Sequence, residues 1–273
     1  MTVTIDFADR VVVVVGGTSG INRGVAEAFA SHGARLAVAS RSQEKVDDTV
    51  KALREAGAGE AIGAAFDVRD PKAVAESLAA FREELGAFDI VVSGAAGNFP
   101  AFGADMSVNA YKSVIDIDLM GTIHVMKGVY PLLKRPGASI INISAPQAYM
   151  PYETQSHVCA AKAGVDQITR TLALEWGREG VRINSVVPGM IEDTEGFRRL
   201  TAGPNIEERV IRATPLGRVG AKADVANACL FLCSELAEFI SGQVIVVDGG
   251  VYLRGSGQLG QDLADMMRSA TAS

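Results

Sequence analysis

Thiols are scarce in this chain. Its 273 residues include three cysteines, Cys159, Cys229 and Cys233, an odd number with no spacing that suits a metal site. Cys229 and Cys233 stand one helical turn apart among Leu230, Phe231 and Leu232. The expectation is small buried hydrophobes in a reducing compartment, with no disulfide framework and no metal. Positive charge is not in excess either: 26 Lys and Arg against 32 Asp and Glu give a net charge of −6, so no basic domain for nucleic acid is implied. The longest apolar run near the start, Val11 to Val15, is far too short to span a membrane. Met1-Thr2-Val3-Thr4-Ile5-Asp6 has no basic region leading into an apolar stretch, so no secretory signal is expected. Thr271-Ala272-Ser273 is not a peroxisomal address. Internal repeats, domain linkers and low-complexity tracts are missing as well. The expectation is a cytoplasmic globular protein with neither nucleic-acid nor membrane partners.

What the chain does have is one alternating pattern. Strands are expected at Arg10–Val15, Arg35–Ala39, Ala61–Phe66, Phe88–Val92, Ala138–Ile143, Val181–Val187 and Val244–Val247. Between them fall helical patterns at Ile21–Ser31, Gln43–Glu55, Pro71–Leu85, Lys112–Leu133, Thr154–Trp176 and Ala223–Cys233. Continuous apolar strands alternating with helices imply an α/β fold: one Rossmann-type, doubly wound parallel sheet with helices on both faces. Two stretches break the alternation. Residues 191–214 are a candidate substrate lid, and 254–273 form a Gly-rich C-terminal extension beyond a domain at 1–253.

The first chemical motif follows the first strand and opens the first helix: Gly16-Gly17-Thr18-Ser19-Gly20-Ile21-Asn22-Arg23-Gly24. Glycines there let the backbone approach a diphosphate, and the helix N-terminus offers N–H donors. The second strand ends in Ala39-Ser40-Arg41-Ser42 with no carboxylate to grip ribose hydroxyls. A guanidinium between two hydroxyls suits a 2′-phosphate, so the expected cofactor is NADPH. Arg23 is a candidate second charge.

The spacing of Gly16 and Gly20, with Asn22 in place of a third glycine, resembles the short-chain dehydrogenase/reductase family. So do Asp67-Val68 after the third strand, Gly94-Ala95-Ala96-Gly97 after the fourth, Pro188-Gly189 followed by Ile191 and Thr194, and Asp248-Gly249-Gly250. The resemblance covers nearly the whole chain. It implies a cofactor site built from Gly16, Thr18, Ser19, Gly20, Ile21, Ser40, Arg41, Ser42, Asp67, Val68, Ala95, Gly97, Lys162, Pro188, Gly189, Ile191 and Thr194. In the family a Tyr stands four residues before the active-site Lys. Here Lys162 is preceded at that position by Val158, which can neither donate nor accept a proton.

A narrower resemblance links Asn98-Phe99, Ser107-Val108-Asn109-Ala110-Tyr111-Lys112, Asp116-Ile117-Asp118, Thr194 to Leu200 and Thr214-Pro215-Leu216-Gly217-Arg218 to the 2,4-dienoyl-CoA reductases, most of all the peroxisomal type. That group also lacks the Tyr. The resemblance implies catalytic roles for Asp118, Ser144 and Lys162. It also implies acyl or CoA contacts at Arg69, Phe99, Ser107, Asn109 and Arg199, and a homotetramer. Asp118 either pairs with Lys162 or carries a raised pKa that makes it the acid. The vacant position makes chemical sense for a dienoyl thioester, because its proton ends on carbon and not on oxygen. Two other readings stay open: a ketoreductase or alcohol dehydrogenase with a displaced acid, Tyr149 or Tyr152, and an inactive NADPH-binding regulatory protein. His157 is expected to pack or lie at the surface.

Overall fold

Five consecutive valines start the sheet. In the computed structural model, which describes residues 5–200 and 206–254, β1 (Val11–Val15) is buried at every position. Side chains alternate across a strand. Val12 and Val14 enter one core, and Val11, Val13 and Val15 enter the other. Each fully buried valine contributes roughly 1.5–3 kcal/mol, so a strand with no polar face demands helices on both sides.

The helices supply that cover. On one side lie α1 (Gly20–Ser31), α2 (Gln43–Glu55) and α9 (Lys222–Cys233), with Val25, Phe29, Leu53, Val225 and Leu232 against the sheet. On the other lie α3 (Pro71–Leu85), α5 (Gly121–Val129) and α6 (Ser156–Trp176), with Val74, Leu78, Val125, Val129 and Trp176 inward. The start of α3 has two local causes: Pro71 with its fixed φ, and Asp70, whose carboxylate accepts from the amides of Lys72 and Ala73.

Seven parallel strands complete the sheet: β1, β2 (Arg35–Ser40), β3 (Glu60–Ala65), β4 (Ile90–Ser93), β5 (Ser139–Ile143), β6 (Arg182–Pro188) and β7 (Val244–Val247). Their order is β3-β2-β1-β4-β5-β6-β7, the expected doubly wound α/β architecture. The chain winds outward from β1 to β3, then returns to β4 on the other side of β1. Val15 pairs with Ala39 on one side and Ser93 on the other. The order reverses there, which opens a crevice at the carboxyl ends of β1 and β4.

Two local expectations are corrected. Lys112–Leu133 is not one α-helix. α4 (Val108–Val114) runs into a π-helical turn at Ile115–Met120, then α5, then a 3₁₀ turn at Tyr130–Leu132. Periodicity cannot reveal an inserted residue, and π turns concentrate at functional sites. Gly121 lets this region approach Val68: a Cβ there would lie 2.6 Å from Val68 Cγ2. Likewise α6 starts at Ser156, because Thr154 has φ +65° and cannot belong to it. The expected lid contains α7 (Glu195–Leu200) and α8 (Ile206–Ala213), with residues 201–205 outside the described residues. Of the C-terminal extension only Arg254 is described.

Candidate active site

The crevice is a cavity of about 500 Å³, within the usual size of a ligand site. One end is backbone. Gly16 and Gly20 have φ of +80° and +54°, a region that side chains disfavour. A Cβ on Gly16 would sit 2.8 Å from the Ala95 nitrogen, so the turn packs directly on the loop after β4. Ser19, the residue before α1, makes no side-chain cap. The first amides of α1 are thus left for a ligand, the arrangement that suits a diphosphate. Thr18, Ser19, Gly20 and Ile21 line the cavity.

At the end of β2, Ser40 and Arg41 line the cavity. Ser40 Oγ is buried without a hydrogen-bond partner among the described residues, an orphan that a ligand oxygen would satisfy. Ser42 is not brought there; its hydroxyl accepts from the Lys45 amide at 3.4 Å and caps α2. Arg23 pairs with Glu27 at 2.8 Å. Asp67 and Val68 line the cavity. Arg69, expected to meet CoA, instead pairs with Asp67 at 2.6 Å, and its hydrogen bond holds the Asp67 carboxyl below the ordinary aspartate value.

The reacting end gathers residues from three elements. The π-helical turn carries Asp118, which is 1% exposed. Its Oδ1 accepts from the Gly97 amide at 2.7 Å, and its Oδ2 lies 3.4 Å from Lys162 Nζ. Lys162, on α6, also donates to the Ile143 carbonyl at 3.1 Å. Of the two expectations for Asp118, the structure shows the ion pair. Ser144 follows β5 and lines the cavity, its hydroxyl buried. Val158 lines the same space and packs with Val114 and Ala161, so the family's phenol position is filled by hydrocarbon.

Asp166 was not singled out by the sequence reading. It lies one turn beyond Lys162 on the buried face of α6 and is 3% exposed. Burial pushes its carboxyl above the ordinary value, opposed by the Ser144 and Ser185 hydroxyls. A charge on an apolar helix face, four residues after the Lys, was the available signal. Gln147, Met150 and Tyr252 also line the cavity and were missed, with no motif to mark them; Phe197 lines it too and falls within the Thr194 to Leu200 stretch, though it was not singled out.

Several expected residues stand apart from this cavity. Phe99 packs on His157, ring centroids 4.6 Å apart. His157 is wholly buried, also near the Tyr111 ring, and burial pushes its imidazole below the ordinary value. It therefore packs and does not lie at the surface. Ser107 caps α4, accepting from the Ala110 amide at 3.2 Å, and Asn109 is exposed on that helix. Arg199 belongs to α7, and its side chain lies outside the described residues. Of the two displaced-acid candidates, Tyr152 lines the cavity. Tyr149 stacks edge-on against Tyr252 with its phenol pushed up to about 12, chiefly by burial. Gly97, Ala95, Pro188, Gly189, Ile191 and Thr194 all line the cavity.

Among the described residues there is no cluster fit for a metal and no helix long and apolar enough to cross a membrane.

Comparison with known proteins agrees with this geometry. Residues 15–252 match the family model described as Enoyl-(Acyl carrier protein) reductase. The chain is 39% identical over 247 residues to the peroxisomal 2,4-dienoyl-CoA reductase, (3E)-enoyl-CoA-producing, of Danio rerio, covering 90% of this chain and 82% of that protein. It is 40% identical over 254 residues to the protein of the same name from Arabidopsis thaliana, covering 89% and 85%. Among solved structures, the NADPH-bound short chain oxidoreductase of Pseudomonas aeruginosa PAO1, described as containing an atypical catalytic center, superimposes with a TM-score of 0.84 at 29% identity. The match covers 91% of this chain and 98% of that one. A short chain dehydrogenase from Bacillus anthracis gives 0.80 at 34% identity, covering 90% and 98%. Sheet order, glycine turn, Lys162 and these matches together show that the chain belongs to the short-chain dehydrogenase/reductase family of oxidoreductases.

Proposed function

We propose that this protein is an NADPH-dependent reductase of conjugated 2,4-dienoyl-CoA thioesters, yielding an enoyl-CoA in the β-oxidation of unsaturated fatty acids. The observation that carries the reading is the buried Asp118–Lys162 pair in a cavity where Val158 replaces the phenol. The names of the relatives above support it.

The residues fit a reduced dinucleotide phosphate. The glycine turn and the open α1 amides suit the diphosphate, and the Ser40 hydroxyl and the Arg41 guanidinium suit the 2′-phosphate. Bound there, the cofactor supplies a hydride. Lys162 holds the ribose hydroxyls and adds positive potential beside the thioester oxygen, where charge develops. Ser144 donates to that oxygen. Asp118, fixed by the Gly97 amide and Lys162, orients the water whose proton goes to carbon. No group has to protonate a ketone oxygen directly, so a hydrocarbon at position 158 is compatible with turnover.

We also propose a homotetramer. Val108 on α4 is 82% exposed and Leu174 on α6 is 81% exposed, apolar side chains that neighbouring subunits would cover. Sedimentation that shows a monomer at micromolar concentration contradicts it. For the compartment, the relatives are named peroxisomal, and we keep the cytoplasm as the proposal for this chain, to be settled by fractionation of the native cell.

The function is tested by following NADPH oxidation with 2,4-hexadienoyl-CoA and 2,4-decadienoyl-CoA beside a panel of ketones. Turnover of the dienoyl thioesters alone is expected. Turnover of ketones alone means that Tyr152 or Tyr149 serves as a displaced acid. Tight NADPH binding with no turnover of either class means a regulatory protein.

A further inference from the structure

Two departures from the family pattern meet in space. The third glycine of the turn is replaced by Asn22, and in Gly94-Ala95-Ala96-Gly97, which resembles the family's Asn-Asn-Ala-Gly turn after β4, the first Asn is replaced by Gly94. Asn22 lies on the first turn of α1 and is 8% exposed. Its Nδ2 donates to the Gly94 carbonyl at 2.8 Å. A carbonyl can only accept, so the carboxamide is locked with its nitrogen toward Gly94. Its Oδ1 is buried with no hydrogen-bond partner among the described residues, and Asn22 lines the cofactor cavity.

Gly94 is small for a reason that lies on the other chain segment. A Cβ built on it would overlap the Asn22 carboxamide, 2.7 Å from Cγ. Backbone φ is not the cause, because Gly94 is not among the glycines with positive φ. The space that a side chain at 94 would need is already occupied by the side chain at 22. Size has been exchanged between the two positions.

The contact joins two functional ends. Asn22 belongs to the segment whose amides face the diphosphate. Gly94 opens the loop that contains Ala95, packed against Gly16, and Gly97, whose amide holds Asp118. Asp118 in turn faces Lys162.

We propose that Asn22 and Gly94 are a matched pair of positioning residues: the Asn22 carboxamide ties the dinucleotide-binding turn to the loop that holds Asp118, and each residue tolerates only the size of the other. The proposal rests on the NADPH reading above and deepens it.

The test is a double-mutant cycle read by NADPH titration, steady-state kinetics and thermal unfolding of the full-length protein. Asn22→Gly removes one buried hydrogen bond and is expected to weaken NADPH roughly five- to tenfold, and to lower kcat at saturating cofactor by a smaller factor as the loop that holds Asp118 loses its tie. Gly94→Ala in the native background is expected to weaken NADPH more than that, because Asn22 must move. In the Asn22→Gly background the same change should cost almost nothing, the non-additivity expected of residues in contact. Asn22→Gly/Gly94→Asn, which restores the family arrangement, is expected to return NADPH affinity to within about threefold of the native protein. Equal cost of Gly94→Ala in both backgrounds overturns the pairing. Unchanged NADPH affinity in Asn22→Gly overturns it also, and this decides the matter if Gly94→Ala does not fold. A native protein that binds no dinucleotide at all removes the underlying cofactor reading, an outcome separate from an additive cycle on a protein that binds NADPH.

Discussion

Asp118 Oδ2 lies 3.4 Å from Lys162 Nζ, and both side chains are almost wholly buried. A buried ion pair is costly to break from one side, because the remaining charge loses both water and partner, at about 3–5 kcal/mol. This relationship ties activity to stability. Lys162→Ala is expected to abolish measurable dienoyl-CoA turnover and to lower the melting temperature. Lys162→Ala/Asp118→Asn should regain much of the stability and none of the activity. Calorimetry and NADPH-oxidation assays on the two variants check both halves; a double variant no more stable than the single would count against the pair.

Asp118→Asn keeps the shape and the acceptor for the Gly97 amide but removes the charge. Turnover should fall by roughly 10²-fold or more if the carboxylate orients the protonating water, with KM for the thioester changed little. A rate within a factor of about two of native would remove Asp118 from the proton path.

Val158→Tyr separates two chemistries. Val158 packs against Val114 and Ala161, so a larger ring costs roughly 1–3 kcal/mol of stability and takes space from the acyl group. Dienoyl-CoA reduction should fall. A ketoreductase that had lost its acid would instead gain carbonyl reduction. A large gain on ketones, in a protein whose native form reduces no dienoyl thioester, would falsify the proposed function.

Arg41 is exposed at the end of β2 and lines the cavity. Arg41→Asp replaces attraction for a 2′-phosphate by repulsion, so NADPH affinity should drop by about tenfold or more, while NADH affinity holds or rises. Titration of both dinucleotides is the measurement, and equal losses for the two would be the adverse result.

Asp166 gives a pH signature. Burial raises its carboxyl above the unfolded value. A carboxyl raised in the folded state favours folding below its unfolded pKa, and that contribution disappears as pH climbs through the folded pKa. Once pH has climbed through the folded pKa, the native protein has a buried charge that Asp166→Asn lacks. The variant should melt higher than native at the alkaline end of the range, and the gap should narrow as pH falls through the raised pKa toward the ordinary aspartate range. Melting curves from pH 4 to 8 test this. Asn at 166 keeps the shape of the side chain, and Asp166 does not line the cavity, so turnover should survive.

By itself the sequence determined the class of fold, because the evidence for it is local and periodic. A strand such as Val11–Val15 with no polar face needs cover on both sides, and alternating helices supply it. The glycine turn was legible for the same reason: Gly16 and Gly20 mark backbone conformations that few residues adopt. Arg41 was legible from its place at the end of the second strand.

What only the tertiary structure decided involves residues brought together from distant parts of the chain. The π turn that presents Asp118 inserts a residue where periodicity predicts a continuous helix. The sequence left Asp118 either paired or acidic, and only the 3.4 Å approach of Lys162 chose the pair. Ser42 and Arg69 have plausible types and places, yet one caps α2 and the other binds Asp67. Polar side chains near a ligand site satisfy whichever partner is nearer. The exchange between Asn22 and Gly94, 72 positions apart in the chain, shows as two unrelated departures in a linear reading. Volume is conserved in three dimensions, where side chains from different segments compete for the same space.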